Sequence, residues 1–422
     1  MKRFGKLLLF IWGLFSMGVA LWWIASAPPS YLRVGPAYVI GPVPQSIQDV
    51  TATDDPIAQT VTTIAPDLSG YDDVVLQEHL DRAFVTARDG WIWKVDLKTG
   101  DAEPFVDVPL MAAGAHEMPG DDNTICFCAS HLFGAEYPDD EHVGLYRLNI
   151  TTKEVTPILL RTPIPPEVTP PRNGNEGTVF TADTEESLNV SAMNEGNSRA
   201  IAFCNDFDIS SDGKRFYFSE PFAYEGASMG GGAMGEAITL GKNGRLWKYD
   251  AESNTAALAA HDYNFIDGVL LEEDGQGWER SVLVSETTKF RIMRLFLSGE
   301  RAGEDEIVWD ALPSMADGLE RDAEGRIWVG MIKQRTDILN WAHANPWVKP
   351  LMLRLPLDLL PVPTVTGVLV LSPDAATPLW YAEHSGTHVQ DIAAVIPGKS
   401  GVYLANFTDD RPGLHRMENP LE

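Results

Sequence analysis

Along most of the chain, apolar and polar residues alternate with a period of two, and turn-forming residues separate the alternating segments. Many of these segments follow an Asp-Gly or Asn-Gly pair, which favours a tight hairpin turn. No long amphipathic helix interrupts the pattern beyond residue 45. The pattern predicts an all-β fold of short antiparallel strands, at residues 88–96, 144–148, 212–218, 243–250, 281–284, 324–329 and 401–404.

The regular recurrence of short strands indicates a β-propeller, in which a small sheet is repeated around one axis. Six blades built from about 375 residues would take roughly 60 residues each, against a typical 40–50. Long connections are therefore expected, and residues 163–200 and 228–235 have a suitable composition. A β-sandwich of this length would need two domains, so the propeller is the better prediction.

The N-terminus has a different pattern, because residues 7–25 contain no charged residue and follow Lys2, Arg3 and Lys6. These 19 residues nearly match a hydrocarbon core of about 30 Å if they are helical. A signal peptide has a shorter apolar region, and cleavage after Ala27 would place Pro28 next to the scissile bond. Residues 1–27 are therefore predicted to be an uncleaved, single-pass transmembrane anchor. The basic cluster would stay in the cytoplasm, which places the rest of the chain outside it, in a periplasm, a lumen or the extracellular space.

Residues 28–64 are predicted to be a Pro-rich spacer and lead-in, and residues 65–422 the propeller. The chain has three cysteines, too few for a disulfide scaffold. Cys126 and Cys128 share one face of a strand, so they are poorly placed to bridge each other. Cys204 is expected to be a packed thiol.

Charge and missing motifs exclude several functions. The chain has 32 Lys+Arg against 60 Asp+Glu and a net charge of -28, so a nucleic acid or an anionic lipid headgroup would be repelled. With 44% hydrophobic and 22% charged residues, the chain is neither disordered nor a polytopic membrane protein. No serine-nucleophile elbow, Gly-rich phosphate loop or haem-attachment motif accompanies the strands.

Four groups of residues carry a family resemblance, at 205–219, 268–292, 312–331 and 345–349. The first reads Asn-Asp-Phe-Asp followed by Asp-Gly and Phe-Tyr-Phe-Ser, and the second ends in Ser-Glu-Thr-Thr-Lys-Phe-Arg-Ile. The third combines Leu-Pro, Asp-Gly and Gly-Arg-Ile-Trp-Val-Gly-Met, and the fourth is Asn-Pro-Trp-Val-Lys. Together they resemble the strictosidine-synthase-like proteins of the gluconolactonase–paraoxonase superfamily, over residues 65–410. The resemblance implies a six-bladed propeller, often with Ca²⁺ or another divalent ion in its central channel.

The resemblance also implies metal ligands at Asn205, Asp267 and Asp317, with Asp72 as the acid of the first blade. Asp73 and Glu78 remain alternatives to Asp72. The chain departs from the family pattern at two of these positions and at the residue after Asp317. Asp72 is shorter than the usual Glu, Asp267 replaces an Asn, and Gly318 replaces the Asn that often follows the key Asp.

Three carboxylates close together repel one another unless a cation lies among them, so this set favours a divalent ion. The alternative is that the Asp-Gly pairs at 267–268 and 317–318 simply form turns.

A metal ion in such a channel can polarise the carbonyl group of an ester or lactone, and hydrolysis then needs a base to activate water. His131 resembles the channel-facing histidine of paraoxonases, although it can equally be an ordinary loop histidine. His116 is a second candidate, and Asp317 can be both ligand and base.

The sequence therefore predicts a membrane-anchored, calcium- or other divalent-metal-dependent hydrolase of small esters or lactones. Strictosidine synthase activity itself is not expected, since its glutamate has no clear counterpart here. The alternative is a non-catalytic propeller with a structural central metal, which binds a protein or a glycan.

Overall fold

The alternating segments form six antiparallel sheets around one axis, so the predicted six-bladed β-propeller is confirmed. The computed structural model describes residues 2–166, 175–224, 226–356, 359–360 and 362–422. Part of the predicted long connection at 163–200, residues 167–174, lies outside these described residues.

The first strand, β1 (Thr62–Ile64), belongs to the last blade and is described with it below. Blades one and two follow directly in the chain. Blade one contains β2 (Tyr71–Gln77), β3 (Arg82–Ala87), β4 (Trp91–Asp96) and β5 (Ala102–Asp107). Blade two contains β6 (Met111–Met118), β7 (Asp121–Ser130), β8 (Gly144–Asn149) and β9 (Val155–Leu159).

Blade three is preceded by a long insertion with four short strands. They are β10 (Arg161–Pro163), β11 (Thr178–Val179), β12 (Leu188–Asn189) and β13 (Ser198–Ala200). The blade itself contains β14 (Phe207–Ile209), β15 (Arg215–Glu220), β16 (Gly244–Asp250) and β17 (Thr255–Tyr263). Strands β11 and β12 both pair with β17, so the insertion covers the outer edge of this blade.

Blades four and five carry most of the family motifs. Blade four contains β18 (Ile266–Glu273), β19 (Glu279–Glu286), β20 (Arg291–Phe296) and β21 (Asp305–Trp309). Blade five contains β22 (Ser314–Arg321), β23 (Ile327–Gln334), β24 (Thr366–Leu371) and β25 (Pro378–His384).

Blade six closes the ring with strands from both ends of the domain. It contains β26 (Ile392–Gly398), β27 (Gly401–Asn406) and β28 (Leu414–Met417). Its fourth strand is β1, which pairs antiparallel with β28 and places Thr63 opposite His415. The expected boundary at residue 65 leaves β1 in the lead-in, whereas the structure makes it part of the propeller.

One helix of 24 residues opens the chain, and shorter helices lie before and between the strands. The α-helices are α1 (Lys2–Ala25), α2 (Gln45–Asp49), α3 (Pro56–Thr60), α4 (Ala233–Thr239), α5 (Asp337–Ala344) and α6 (Lys349–Met352). The 3₁₀ helices are Glu78–Leu80, Val190–Ala192, Thr287–Lys289 and Pro346–Val348. In the part of the chain that the structure describes, no helix combines the length and apolar character needed to cross a bilayer.

The Pro-rich lead-in packs on the propeller. Tyr31 stacks on Tyr224 with ring centroids 3.8 Å apart. The N–H of Gly35 donates to the carbonyl of Thr239 at 2.8 Å. The lead-in that follows α1 is thereby held beside α4.

Apolar side chains fill the spaces between neighbouring blades. Val75 of blade one and Ile125 of blade two belong to one buried cluster. Leu283 of blade four and Leu319 of blade five belong to another. Each blade buries one face against each neighbour, so the ring is stabilised mainly by apolar contact between adjacent sheets.

Candidate functional site

The innermost strands of the six blades surround the axis, and each contacts the next around a closed ring. Five of them have a register shift against their second strand near the start: β2, β6, β18, β22 and β26. At such a shift, two residues of the inner strand leave the regular pairing and their side chains can be redirected. In blade three, the corresponding pair of residues, Asn205 and Asp206, directly precedes β14.

These six residue pairs occupy equivalent positions in their blades, and each contributes at least one residue to the lining of a shared cavity. They are Asp72–Asp73, Ala113–Gly114, Asn205–Asp206, Asp267–Gly268, Asp317–Gly318 and Ala393–Ala394. All four predicted metal-ligating residues stand first in their pair, and all four line the cavity. The structure therefore brings together side chains that are up to 245 positions apart, from 72 to 317 in the sequence.

The four predicted residues, called the acidic ring here, interact directly. The Asn205 side-chain amide donates a hydrogen bond to the Asp267 carboxylate. The Asp267 and Asp317 carboxyl groups lie close enough to perturb each other electrostatically. Burial and then the nearby Asp267 charge raise the pKa of Asp317 well above its ordinary value. The same two causes raise the pKa of Asp72.

Neither Asp-Gly pair forms a turn, so that alternative is wrong. Both pairs lie within strands, in β18 and β22. A Cβ atom at Gly268 would come within 2.2 Å of the Asp317 carbonyl oxygen, and one at Gly318 within 3.0 Å of the Ala393 carbonyl oxygen. These glycines let the inner strands approach closely, which brings the carboxylates of adjacent blades together.

The first-blade alternatives separate clearly. Asp72 and Asp73 both line the cavity. Glu78 instead lies at the surface, where its carboxylate accepts the backbone N–H groups of Lys399 and Ser400. Asp73 is committed to structure on both oxygens, because they accept the N–H groups of Val74 and Ala115.

A second cluster contains Asp73, His116 and Glu320, whose ligand atoms all lie within 4.8 Å of one another. His116 also stacks edge-on against Phe207 and lies 4.0 Å from the Asp206 carboxylate. Burial and then the Asp73 charge raise the pKa of Glu320 well above its ordinary value. This cluster is a possible metal site in its own right. The sequence indicated two of its members, Asp73 as an alternative to Asp72 for a metal ligand and His116 as a second candidate base. It did not indicate Glu320.

His131 is not among the residues that line the cavity. It is partly buried beside Tyr137, and burial lowers the pKa of its imidazole. Its backbone carbonyl accepts the N–H of Met229, and it is Met229 that reaches the cavity. Between the two predicted histidines, His116 is thus the one placed among the acidic side chains of the channel.

Cys128 and Cys204 form a disulfide, with Cα atoms 5.1 Å apart. The prediction that Cys204 is a packed thiol was therefore wrong. Seventy-six positions separate the two cysteines, and only the packing of blade two against blade three makes them neighbours. The Ser130 hydroxyl accepts the N–H of Cys204 and donates to its carbonyl. Since Asn205 is the next residue, both contacts fix one member of the acidic ring. Cys126 is buried and free.

The cavity as a whole has a volume of about 370 Å³. Apart from its acidic groups, its lining is mostly apolar. Its apolar wall includes Met229, Met234, Ile238, Phe265, Met315, Leu339 and Met352. The hydroxyl of Thr288 also lines it, and this buried group has no hydrogen-bond partner among the described residues. The cavity is large enough for a small ligand, and the acidic ring lies in its otherwise mostly apolar lining.

The donor set of the acidic ring fits a hard divalent cation. It offers three carboxylates and an amide that carries an oxygen beside its N–H₂ group, and Ca²⁺ and Mg²⁺ prefer oxygen donors. Burial raises the pKa of all three carboxylates, and the Asp267 charge adds to this for Asp72 and Asp317, so their charged forms are unfavourable without a compensating charge. A cation among them would supply that charge.

This electrostatic arrangement predicts a pH-dependent stability. When a chelator is present, the folded chain retains protons on these carboxyls that the unfolded chain has released. Raising the pH from about 4 towards neutrality therefore favours unfolding, by about 1.4 kcal/mol per retained proton and pH unit. Saturating Ca²⁺ should remove much of this loss. Thermal melts at pH 5 and 8, with chelator or with Ca²⁺, measure this loss of stability and its reversal by the cation. A cation effect that does not grow with pH would contradict this account.

The predicted family resemblance is confirmed by comparison with known proteins. Adipocyte plasma membrane-associated protein from Salmo salar is 32% identical over 200 residues, which are 44% of this chain and 46% of that protein. Protein STRICTOSIDINE SYNTHASE-LIKE 10 from Arabidopsis thaliana is 30% identical over 167 residues, which are 39% of this chain and 42% of that protein. Adipocyte plasma membrane-associated protein from Homo sapiens is 26% identical over 259 residues, which are 56% of this chain and 60% of that protein. The chain thus spans about half the length of these relatives. No family model matches it.

Solved structures agree on the fold. A putative gluconolactonase superposes with a TM-score of 0.50 at 16% identity, covering 91% of this chain and 98% of its own. XC5397, a gluconolactonase from Xanthomonas campestris, gives a TM-score of 0.51 at 11% identity, covering 92% and 98%. At such low identities, these similarities support the propeller architecture alone.

Proposed function

We propose that this protein is a divalent-cation-dependent hydrolase of small esters or lactones. The observation that carries the proposal is the convergence of three carboxylates and one amide in one mostly apolar cavity. Asp72, Asn205, Asp267 and Asp317 would hold the cation, and Ca²⁺ is the ion that we favour. The two gluconolactonases share the fold of this chain. A hydrolase function is consistent with that fold.

The bound cation would supply Lewis-acid polarisation of the substrate carbonyl. Asp317 is the group that we assign to proton transfer from the attacking water. Its side chain lines the cavity with the other residues of the acidic ring, and a deprotonated carboxylate can accept that proton. His131 is the weaker candidate for this role, because its side chain does not line the cavity.

The other cavity residues would select and orient the substrate. The methionine-rich wall favours an apolar group beyond the reacting carbonyl, and it limits access of water to that group. The acidic ring, which lines the same cavity, would take the carbonyl end of the substrate through the bound cation. Esters and lactones with an aryl or alkyl substituent fit these two features.

We also propose that residues 1–27 anchor the chain in a membrane and that the propeller lies outside the cytoplasm. The uncharged helical stretch after three basic residues supports the anchor. The disulfide supports the location, because such bonds persist mainly in oxidising compartments. The adipocyte relatives are named for an association with the plasma membrane.

A panel of aryl esters and lactones, assayed on the full chain with Ca²⁺ and with chelator, tests the proposed activity. We expect turnover of at least one member, and at least a tenfold loss on chelation that Ca²⁺ reverses. Mg²⁺, Mn²⁺ and Zn²⁺ should be added back in parallel to identify the preferred ion. Turnover of none of the compounds, or turnover that chelation leaves unchanged, would contradict the proposal and favour a non-catalytic propeller.

A further inference from the structure

One stretch of the surface differs from the rest in both hydrophobicity and charge. Residues 338–356, called the mouth segment here, include α6 and most of α5. Four large apolar side chains of this segment are exposed, and the Trp347 side chain is 70% exposed. The others are Ile338, Trp341 and Leu351. Trp341 and Trp347 lie edge to face, with ring centroids 6.1 Å apart. Surface apolar residues scattered singly are ordinary, but a group of this size marks an interaction site.

The charge of the mouth segment is also unusual for this chain. Acidic residues make up 60 of 422 positions, about one in seven. None of the 19 residues of the mouth segment is acidic, and two of them, Lys349 and Arg354, are basic. Lys349 is buried, so Arg354 supplies the surface charge of the segment. This part of the surface would therefore not repel a headgroup layer, within a protein whose net charge is -28.

The mouth segment stands at the entrance to the cavity and beside the end of α1. Leu339 and Met352 line the cavity from within, whereas Trp341 and Trp347 face outwards. The Arg354 guanidinium lies 3.7 Å from the centre of the Trp23 ring, near the end of α1. Trp23 and its neighbour Trp22 are themselves exposed. Exposed tryptophans of the helix and of the cavity entrance thus lie on one side of the molecule.

We propose that the mouth segment rests on the surface of a lipid bilayer, so that the cavity opens towards the membrane. Tryptophan and arginine are suited to the headgroup region, where apolar rings and polar groups are both accommodated. A second copy of the chain is a poorer occupant, because two chains of charge -28 repel each other. If the proposed hydrolase activity is correct, its substrates are esters or lactones that partition into membranes. The docking itself does not depend on that activity.

Fluorescence quenching of labelled full-length chains in phosphatidylcholine vesicles tests the docking. A nitrobenzoxadiazole label is attached at Trp347→Cys and, as the matched control, at Trp278→Cys. Trp278 is also strongly exposed, at 64%, but it lies in the β18–β19 hairpin, at the end of these strands away from Asp267. The native free thiol, Cys126, is buried and should not react.

Lipids with a nitroxide near the headgroup should quench the label at position 347 at least about twofold more than the label at 278. Aqueous acrylamide, which is uncharged, should show the opposite order. Equal quenching by acrylamide at both positions would overturn the proposal. So would energy transfer between chains labelled at 347, because this would show that a second copy covers the segment. Chains that fail to float with the vesicles would refute anchor and docking together, while the hydrolase assay would be unaffected.

Discussion

Replacing Asp317 with asparagine should lower kcat/KM for a cleaved ester or lactone by at least about 100-fold. The substitution keeps the size of the side chain and removes its charge. It therefore takes away one anionic ligand and the group to which we assign proton transfer. Thermal melts should also show a smaller stabilisation by Ca²⁺, because one of the three repelling carboxylates is gone.

Two other substitutions make this result specific. Asp267→Asn introduces the amide that is usual in the family and keeps an oxygen donor, so we expect a loss of less than about tenfold. Asp274→Asn lies in the turn after β18, at the end away from the cavity, and should leave kcat/KM unchanged. Full activity in the Asp317→Asn variant, with normal Ca²⁺ dependence, would exclude Asp317 from the site.

Loss of the Cys128–Cys204 disulfide should lower the free energy of unfolding by about 4 kcal/mol, since the bond closes a long loop in the unfolded chain. The two cysteines are 76 positions apart, and the bond links blade two to the residue before Asn205. Weaker Ca²⁺ binding should accompany the loss of stability. Denaturant titration of the double variant Cys128→Ser/Cys204→Ser, followed by Ca²⁺ titration under native conditions, measures both effects.

The matched control is Cys126→Ser, in the same strand as Cys128. Cys126 is equally buried but unpaired, so its substitution should cost only the burial of one hydroxyl, about 1–2 kcal/mol. Ca²⁺ binding should not change in this variant. If the two variants lose the same stability and bind Ca²⁺ equally well, the disulfide does not position Asn205.

The acidic ring could be predicted because its residues stand in local motifs. Asn205 stands just before an inner strand and Asp267 and Asp317 stand within one, each in a recognisable motif, and the structure places them in one cavity with Asp72. Their interactions could not be predicted, since the register shifts that redirect them depend on pairing with the second strand of each blade. No sequence period reveals such a shift.

The cluster of Asp73, His116 and Glu320 shows the same limit. These residues come from three different blades, and no motif joins them. A periodicity argument can place each on a strand, but not on the same side of a channel. The sequence ranked His131 above His116 for a similar reason. Both histidines stand near inner or second strands of blade two, and only packing decides which side chain meets the acids.

The sequence by itself determined where the strands lie and which acidic side chains face the axis. With the help of the family motifs, it also determined the number of blades. These are local properties, because a period of two and a turn pair act over fewer than about ten residues. The tertiary structure alone decided the Cys128–Cys204 pairing, the closure of blade six by β1, and the position of the mouth segment beside α1. Each of these joins residues far apart in the chain, and their proximity follows from how whole sheets pack around the axis.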